Sequence, residues 1–187
     1  MATEFEIDWS TLPTPVDDGA ADHLTGQALP KLRLPSTDGR DVDLSALDGA
    51  VVLYVYPMTG TPGKDLPQGW NDIPGARGCT PQSCAFRDRF AELQAAGATH
   101  VFGVSTQTTD AQTEAAQRLH LPFPLLSDSG GALSAALRLP MFDTEQGRHH
   151  KRLTLIARNG MIAQVFYPVF PPDADAANVE AWLRAHC

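Results

Sequence analysis

The chain has 187 residues, 43% of them hydrophobic, and a formal charge of -8. That length and content describe one globular domain with an appendage, and the acidic balance argues against nucleic acid or an anionic membrane as a partner. No basic segment with an apolar run opens the chain and no apolar run approaches membrane length, so a cytoplasmic protein is expected, in which a catalytic disulfide fits better than a structural one.

Residues 1–27 read as an acidic extension and 28–187 as the domain. Glu4, Glu6, Asp8, Asp17, Asp18 and Asp22 fall in the first thirty residues, which hold no Lys or Arg. Phe5, Ile7 and Trp9 are the apolar residues through which this arm either docks on the domain or, failing that, stays mobile. Regular structure begins near Leu32. Leu32 and Leu34, then Val42 and Leu44, alternate around the turn Ser36-Thr37-Asp38-Gly39 as two short strands of a hairpin do. The run Val51-Val52-Leu53-Tyr54-Val55-Tyr56 is too apolar for a half-exposed strand and reads as a buried central one.

A long loop rich in proline and glycine follows over 57–77, and long structured loops inside compact domains are usually functional or disordered. It leads into GCTPQSCAFRD, which starts at Gly78 and carries Cys79 and Cys84. Thr80 is a good helix N-cap and Pro81 fits a first helical position, after which Phe86, Phe90 and Leu93 recur at helical spacing until Gly97. Cys79 is thereby expected at the positive end of a helix, where free backbone N–H groups and the dipole favour a thiolate, with Arg77 and Arg87 adding charge. Five residues of helix is about 7.5 Å of rise, with the two side chains pointing well apart. A disulfide needs Cα atoms within roughly 7 Å, so an intact helix keeps the sulfurs apart and pairing them requires its first turns to unwind. Two other readings stand beside this redox pair: buried small hydrophobes, or half of a zinc site, although the second cysteine pair that such a site calls for is missing.

Beyond the helix, strands over 101–105 and 123–126 alternate with helices over 110–120 and 131–137. A hairpin of 152–157 and 161–166 turns at Asn159-Gly160, and a helix over 175–185 closes the chain. Strands alternating with helices, then a hairpin and a helix, indicate an α/β sandwich with a mixed sheet.

GCTPQSCAFRD resembles the active-site segment of peroxiredoxins, in the bacterioferritin-comigratory or Q-type branch, where two cysteines lie five apart on one helix. The likeness runs from about Leu32 to Leu183. LRLPSTDGR resembles the family's opening hairpin, FGVSTQTTD its next strand, LPFPLLSD its downstream segment and KRLTLIARNGMI its penultimate strand pair. The resemblance implies a thioredoxin-like α/β fold, a mixed central sheet flanked by helices, and reduction of hydroperoxides by a thiol without metal, flavin or nucleotide. It matches Cys79 to the peroxidatic cysteine, Cys84 to the resolving one, and Arg152 to an arginine that contacts the peroxidatic sulfur and the peroxide. Without the resemblance, Arg152 reads as a surface charge at a strand end.

The family pattern of Pro, three residues, Thr, two residues, Cys is interrupted here. Pro57 and Thr61 keep the first spacing, but an insertion of about fifteen residues separates Pro62-Gly63 from Cys79. Counted back from Cys79, Ala76 takes the threonine's place. Either Thr61 keeps the role across the insertion, with Trp70 or Ile73 walling the peroxide entrance, or the insertion projects away and Ala76 packs where the threonine would be.

The chemistry implied is attack of a Cys79 thiolate on one peroxide oxygen. Arg152, backbone N–H groups near Gly78 and Cys79, and the Thr61 hydroxyl would stabilise the departing oxygen. Cys79 sulfenic acid then condenses with Cys84, and a dithiol protein such as thioredoxin or glutaredoxin restores both thiols. The alternative is a redox sensor or binding protein that uses the same pair without sustained turnover. Three further features have bland readings: His149-His150 as a solvated pair rather than metal ligands, Cys187 as a terminal thiol without a role, and Trp70 as an anchor of its loop.

Overall fold

The computed structural model describes residues 7–186, so Phe5 and Cys187 lie outside the described residues. Its centre is β3 (Ala50–Val55), buried along its whole length. Hydrogen bonds pair β3 in parallel with β4 (Ala98–Ser105), and β4 in parallel with β5 (Leu125–Ser127). On its other side β3 runs antiparallel to β8 (Leu153–Arg158), which pairs with β9 (Met161–Phe166). The order β5-β4-β3-β8-β9 is a mixed five-stranded sheet with helices on both faces, the thioredoxin-like α/β arrangement. A separate hairpin of β1 (Arg33–Pro35) and β2 (Asp41–Asp43) forms a two-stranded sheet of its own.

Side chains alternate across a strand, so each strand feeds two cores. Val51, Leu53 and Val55 meet Leu153 and Leu155 on one face, closed by Leu133 and Leu137 of α4 (Ala132–Leu137). Val52, Tyr54 and Tyr56 face the opposite way. They pack with Phe86 of α1 (Cys79–Asp88), Leu93 of α2 (Phe90–Ala95), and Val179 and Leu183 of α5 (Asp175–His186). Between β4 and β5 lies the ten-residue α3 (Thr109–Arg118), capped by the Thr108 hydroxyl, which accepts from the Ala111 N–H. The β8-β9 turn has φ of 48° at Asn159 and 80° at Gly160, the paired left-handed conformation that a two-residue hairpin demands.

Four local expectations change. The cysteine helix begins two residues early: Gly78, with φ of 113°, is the N-cap and Cys79 the first helical residue, while Pro81 occupies the third. Thr80 is therefore inside the first turn. A Cβ at Gly78 would come 2.6 Å from Pro172 and 3.0 Å from the Trp9 ring, so the backbone there admits only glycine. The apolar helical spacing through Leu93 spans two helices that meet at Arg89. Bonds from the Arg89 N–H to the Ala85 carbonyl (3.1 Å) and from the Leu93 N–H to the Arg89 carbonyl (2.9 Å) carry the register across the break.

A hairpin that the sequence did not announce, β6 (Met141–Thr144) and β7 (Gly147–His150), precedes β8. It buries His149 and His150, which are not solvated. His149 Nε2 lies 2.9 Å from the Thr144 hydroxyl, and its ring is 5.3 Å from that of Trp70. His150 Nε2 lies 3.5 Å from Asp128 Oδ2. Desolvation lowers the tendency of His149 to hold a proton. Among the described residues no group of three or more His, Cys, Asp or Glu side chains is arranged to hold a metal.

The arm docks from residue 7 onward. The Trp9 indole N–H donates to Asp173 (2.9 Å) and its ring meets Phe170 edge-on at 6.1 Å. Asp18 pairs with Lys151 and accepts from the Tyr167 hydroxyl, both at 2.8 Å, which holds its carboxyl well below the usual range. Ala21 and Leu24 enter the core, and the Gly26 and Leu29 N–H groups bond to the Ile162 and Gly160 carbonyls along the edge of β9.

Candidate active site

Cys79 sits at the point where the long loop turns into α1, above the C-terminal end of β3. It is 4% exposed, and both Cys79 and Cys84 are unpaired thiols. Gly78 forces the turn that puts Cys79 in the first helical position, where backbone N–H groups have no intrahelical partner. Its sulfur faces the Ala76 carbonyl at 3.7 Å and Arg152 Nη2 at 3.2 Å.

Arg152, between β7 and β8, is 3% exposed and far from the surface charge that its strand-end position suggests. Its Nη2 also reaches the carbonyls of Gly75 (3.2 Å), Ala76 (3.1 Å) and Arg77 (3.3 Å), and Nη1 donates to Gln82 Oε1 at 2.5 Å. One guanidinium thus binds the end of the inserted loop and the first turn of α1 together. Gln82 in turn donates from Nε2 to Asp175 Oδ2 at 2.7 Å, and the Thr154 hydroxyl donates to the same oxygen at 2.7 Å. Burial pushes the Asp175 carboxyl up to about 6. Neither Gln82 nor Asp175 was picked out from the sequence. The only signal for Gln82 was its place one helical turn after Cys79, and Asp175 reads as an ordinary acidic first-turn residue.

Cys84 lies on the outer flank of the same helix, half-buried, beside Arg87 and Asp88. Burial pushes its thiol up, and Arg87 partly opposes this. Beneath both cysteines is an aromatic layer in which Tyr54 stacks on Phe86 with centroids 4.4 Å apart, and the Tyr54 hydroxyl donates to Ser83.

The inserted loop lies against this site. A cavity of about 180 Å³ opens at Cys79 and is lined by Leu66, Trp70 and Arg77 of the loop, with Met58, Pro81 and Ile7. Trp70 lines this cavity, and its buried ring also packs on Phe142 at 5.8 Å, which anchors the loop. Ile73 lies elsewhere, in a second hollow under Pro15 and Val16 of the arm. Thr61 is partly exposed, and among the described residues no hydrogen bond joins its hydroxyl to Cys79. Ala76, fully buried, holds the position three residues before the cysteine, and it is the Ala76 carbonyl that meets the sulfur.

The model of the family described as Redoxin matches residues 24–183. The chain belongs to that family. Within it, the chain is similar to peroxiredoxins of the Q and bcp type. A peroxiredoxin bcp of Coxiella burnetii is 31% identical over 159 residues, covering 82% of this chain and 94% of that protein. A chloroplastic peroxiredoxin Q of Oryza sativa subsp. japonica is 34% identical over 151 residues, 79% of this chain, although the chain spans only 61% of that relative's length. Among solved structures, peroxidoxin BcpB from Mycobacterium tuberculosis superposes with a TM-score of 0.71 at 29% identity, covering 88% of this chain and 99% of that one. The family match thus covers the sheet and the cysteine helix and begins at residue 24, near the end of the arm.

Proposed function

We propose that this peroxiredoxin reduces hydroperoxides through a Cys79 sulfenic acid and a Cys79-Cys84 disulfide, with a dithiol protein as the electron source. The observation that carries the reading is Arg152 Nη2 at 3.2 Å from Cys79 Sγ, at the first turn of α1. A buried guanidinium beside the attacking sulfur supplies a donor where negative charge develops on the departing oxygen. The Cys79 thiolate attacks one oxygen, the S–O bond forms, the O–O bond breaks, and the leaving alkoxide or hydroxide takes a proton to depart as alcohol or water. The Cys84 sulfur then attacks the sulfenic sulfur and releases water. An external dithiol returns two electrons and two protons by exchange, with thioredoxin and glutaredoxin as the fitting classes. Such cycling requires a reducing compartment, which is why we assign the cytoplasm.

Thr61 has no place as a sulfur donor in this reading. Its role as a donor passes to Arg152 and to the free backbone N–H groups in the first turn of α1, while the Ala76 carbonyl accepts from Arg152. The test is steady-state turnover of hydrogen peroxide and of a bulky organic hydroperoxide with thioredoxin or a glutaredoxin system. Cys79→Ser should abolish turnover, while Cys84→Ser should consume one equivalent of peroxide and stall. Wild-type turnover in both variants defeats the assignment, and a wild-type protein that oxidises once without recycling favours the sensor alternative.

A further inference from the structure

The chain of contacts behind Arg152 ends on a carboxylate that the reaction itself does not use. Asp175 is 1% exposed, its Oδ2 accepts from Gln82 Nε2 and the Thr154 hydroxyl, and among the described residues its Oδ1 has no hydrogen-bond partner. A buried carboxyl with half its acceptor capacity unused is costly to keep and calls for an explanation.

The explanation lies in the two ends of a glutamine amide. Gln82 is fully buried, and its side chain can point either oxygen or NH2 at Arg152. Only the oxygen suits a guanidinium, which has no acceptor. With the NH2 end forward, donor would meet donor, and Arg152 would be driven from the position that places Nη2 on both the Cys79 sulfur and the Ala76 carbonyl. Something must therefore take the NH2 end, and it must present an acceptor oxygen to it. Asp175 Oδ2 meets that need, already fixed by the Thr154 hydroxyl and by the start of α5. Both donors converge on Oδ2, so a proton taken up by this carboxyl goes to Oδ1 and leaves the Gln82 contact standing.

We propose that Asp175 is a positioning residue for the peroxidatic site, locking the Gln82 amide so that Arg152 is held against Cys79. It touches neither sulfur nor peroxide and acts only through Gln82 and Arg152. The inference rests on the assignment of Cys79 as nucleophile, but its test is separate: the assignment fails in the cysteine variants, this inference fails in the variants below while the cysteine variants behave as expected.

The experiment is the pre-steady-state rate of Cys79 oxidation by hydrogen peroxide, measured beside the later rate of disulfide formation. Asp175→Ala should slow the first step about tenfold, the scale of losing one hydrogen bond to a charged group, and leave the second within about twofold. Asp175→Asn, whose oxygen accepts the same two bonds, should restore the first step to within about twofold of wild type. Gln82→Leu should slow it like Asp175→Ala, and the double variant should be no slower than either, because both act through one contact. A wild-type first step in Asp175→Ala, an Asn variant as slow as the Ala variant, equal slowing of both steps, or multiplicative effects in the double variant would each overturn the proposal. Should Asp175→Ala not fold, the side-chain amide resonance of Gln82 decides: it should move upfield in Asp175→Asn, where a neutral acceptor replaces a charged one, and an unmoved resonance rules the contact out.

Discussion

Cys79 and Cys84 share one helix and inhabit different chemistry. Cys79 is buried, faces a guanidinium and a carbonyl, and sits at a turn that only glycine can make. Cys84 is half-exposed on the flank, with a thiol pushed up by burial and offset in part by the nearby Arg87 and, less, by Arg118. The first meets its donor in place. The second is held as a thiol, near the surface, to arrive later. The contrast shows how one helix separates attack from resolution: by what stands opposite each sulfur, and not by distance alone.

That contrast can be broken most severely at Arg152. Arg152→Ala should reduce the rate of peroxide attack by about 100-fold, the usual cost of removing one oriented donor from a developing anion. Arg152→Lys should recover only part, since lysine keeps the charge but not the fork that reaches Gln82 and the Ala76 carbonyl together. Stopped-flow oxidation of the two variants gives the comparison, and rates equal to wild type would take Arg152 out of the site.

A smaller effect, on stability, separates the buried side of the helix from the exposed one. The Asp175 carboxyl is raised from 3.8 to about 6 in the folded chain. Folding thus favours its protonated form, so the stability this group contributes is complete below pH 4 and is lost as pH rises to about 6. Asp175→Asn does not titrate. It should gain on the wild type across that window, by on the order of 2 kcal/mol at pH 8 relative to pH 4, in urea unfolding followed against pH. Parallel curves for the two proteins would show that Asp175 is not carrying the burial cost.

The smallest effect belongs to the Cys84 side. Because that thiol is pushed up, disulfide formation should accelerate as pH rises above neutrality. Arg87→Ala, which removes the partner that eases ionisation, should slow disulfide formation about threefold near pH 7 and leave peroxide attack unchanged. Slowing of attack instead would mean that Arg87 serves Cys79.

What could be read from the residues follows the range of the forces involved. The buried strand β3, the Asn159-Gly160 turn and the cysteine helix each declare themselves within a few residues, through apolar runs, positive φ and spacing. Arg152 was found only through resemblance, because a lone arginine at a strand end carries no local mark of burial. The burial of His149, the seat of Trp70 and the Asp175-Gln82 contact depend on partners tens of residues away. Nothing near those residues encodes the partner. The N-cap moved from Thr80 to Gly78 for the same reason: Trp9 and Pro172, distant in the chain, close on Gly78 and make its conformation the one that fits. Thr61 is the plainest case. Its spacing from Pro57 follows the family, yet the chain between it and Cys79 takes a path that leaves the Ala76 carbonyl at the sulfur.

The clasp on Gly78 ties the far N-terminus to the oxidation state. Pairing Cys84 with Cys79 requires the first turn of α1 to unwind, and that turn starts at Gly78, where the missing Cβ leaves just enough room for the Trp9 indole and Pro172. Trp9 is itself held by Asp173, the neighbour of Pro172, so a displaced Gly78 would press on the anchor of the arm. If disulfide formation displaces Gly78 in this way, linkage requires the converse: a molecule that clamps the arm in place would disfavour the disulfide.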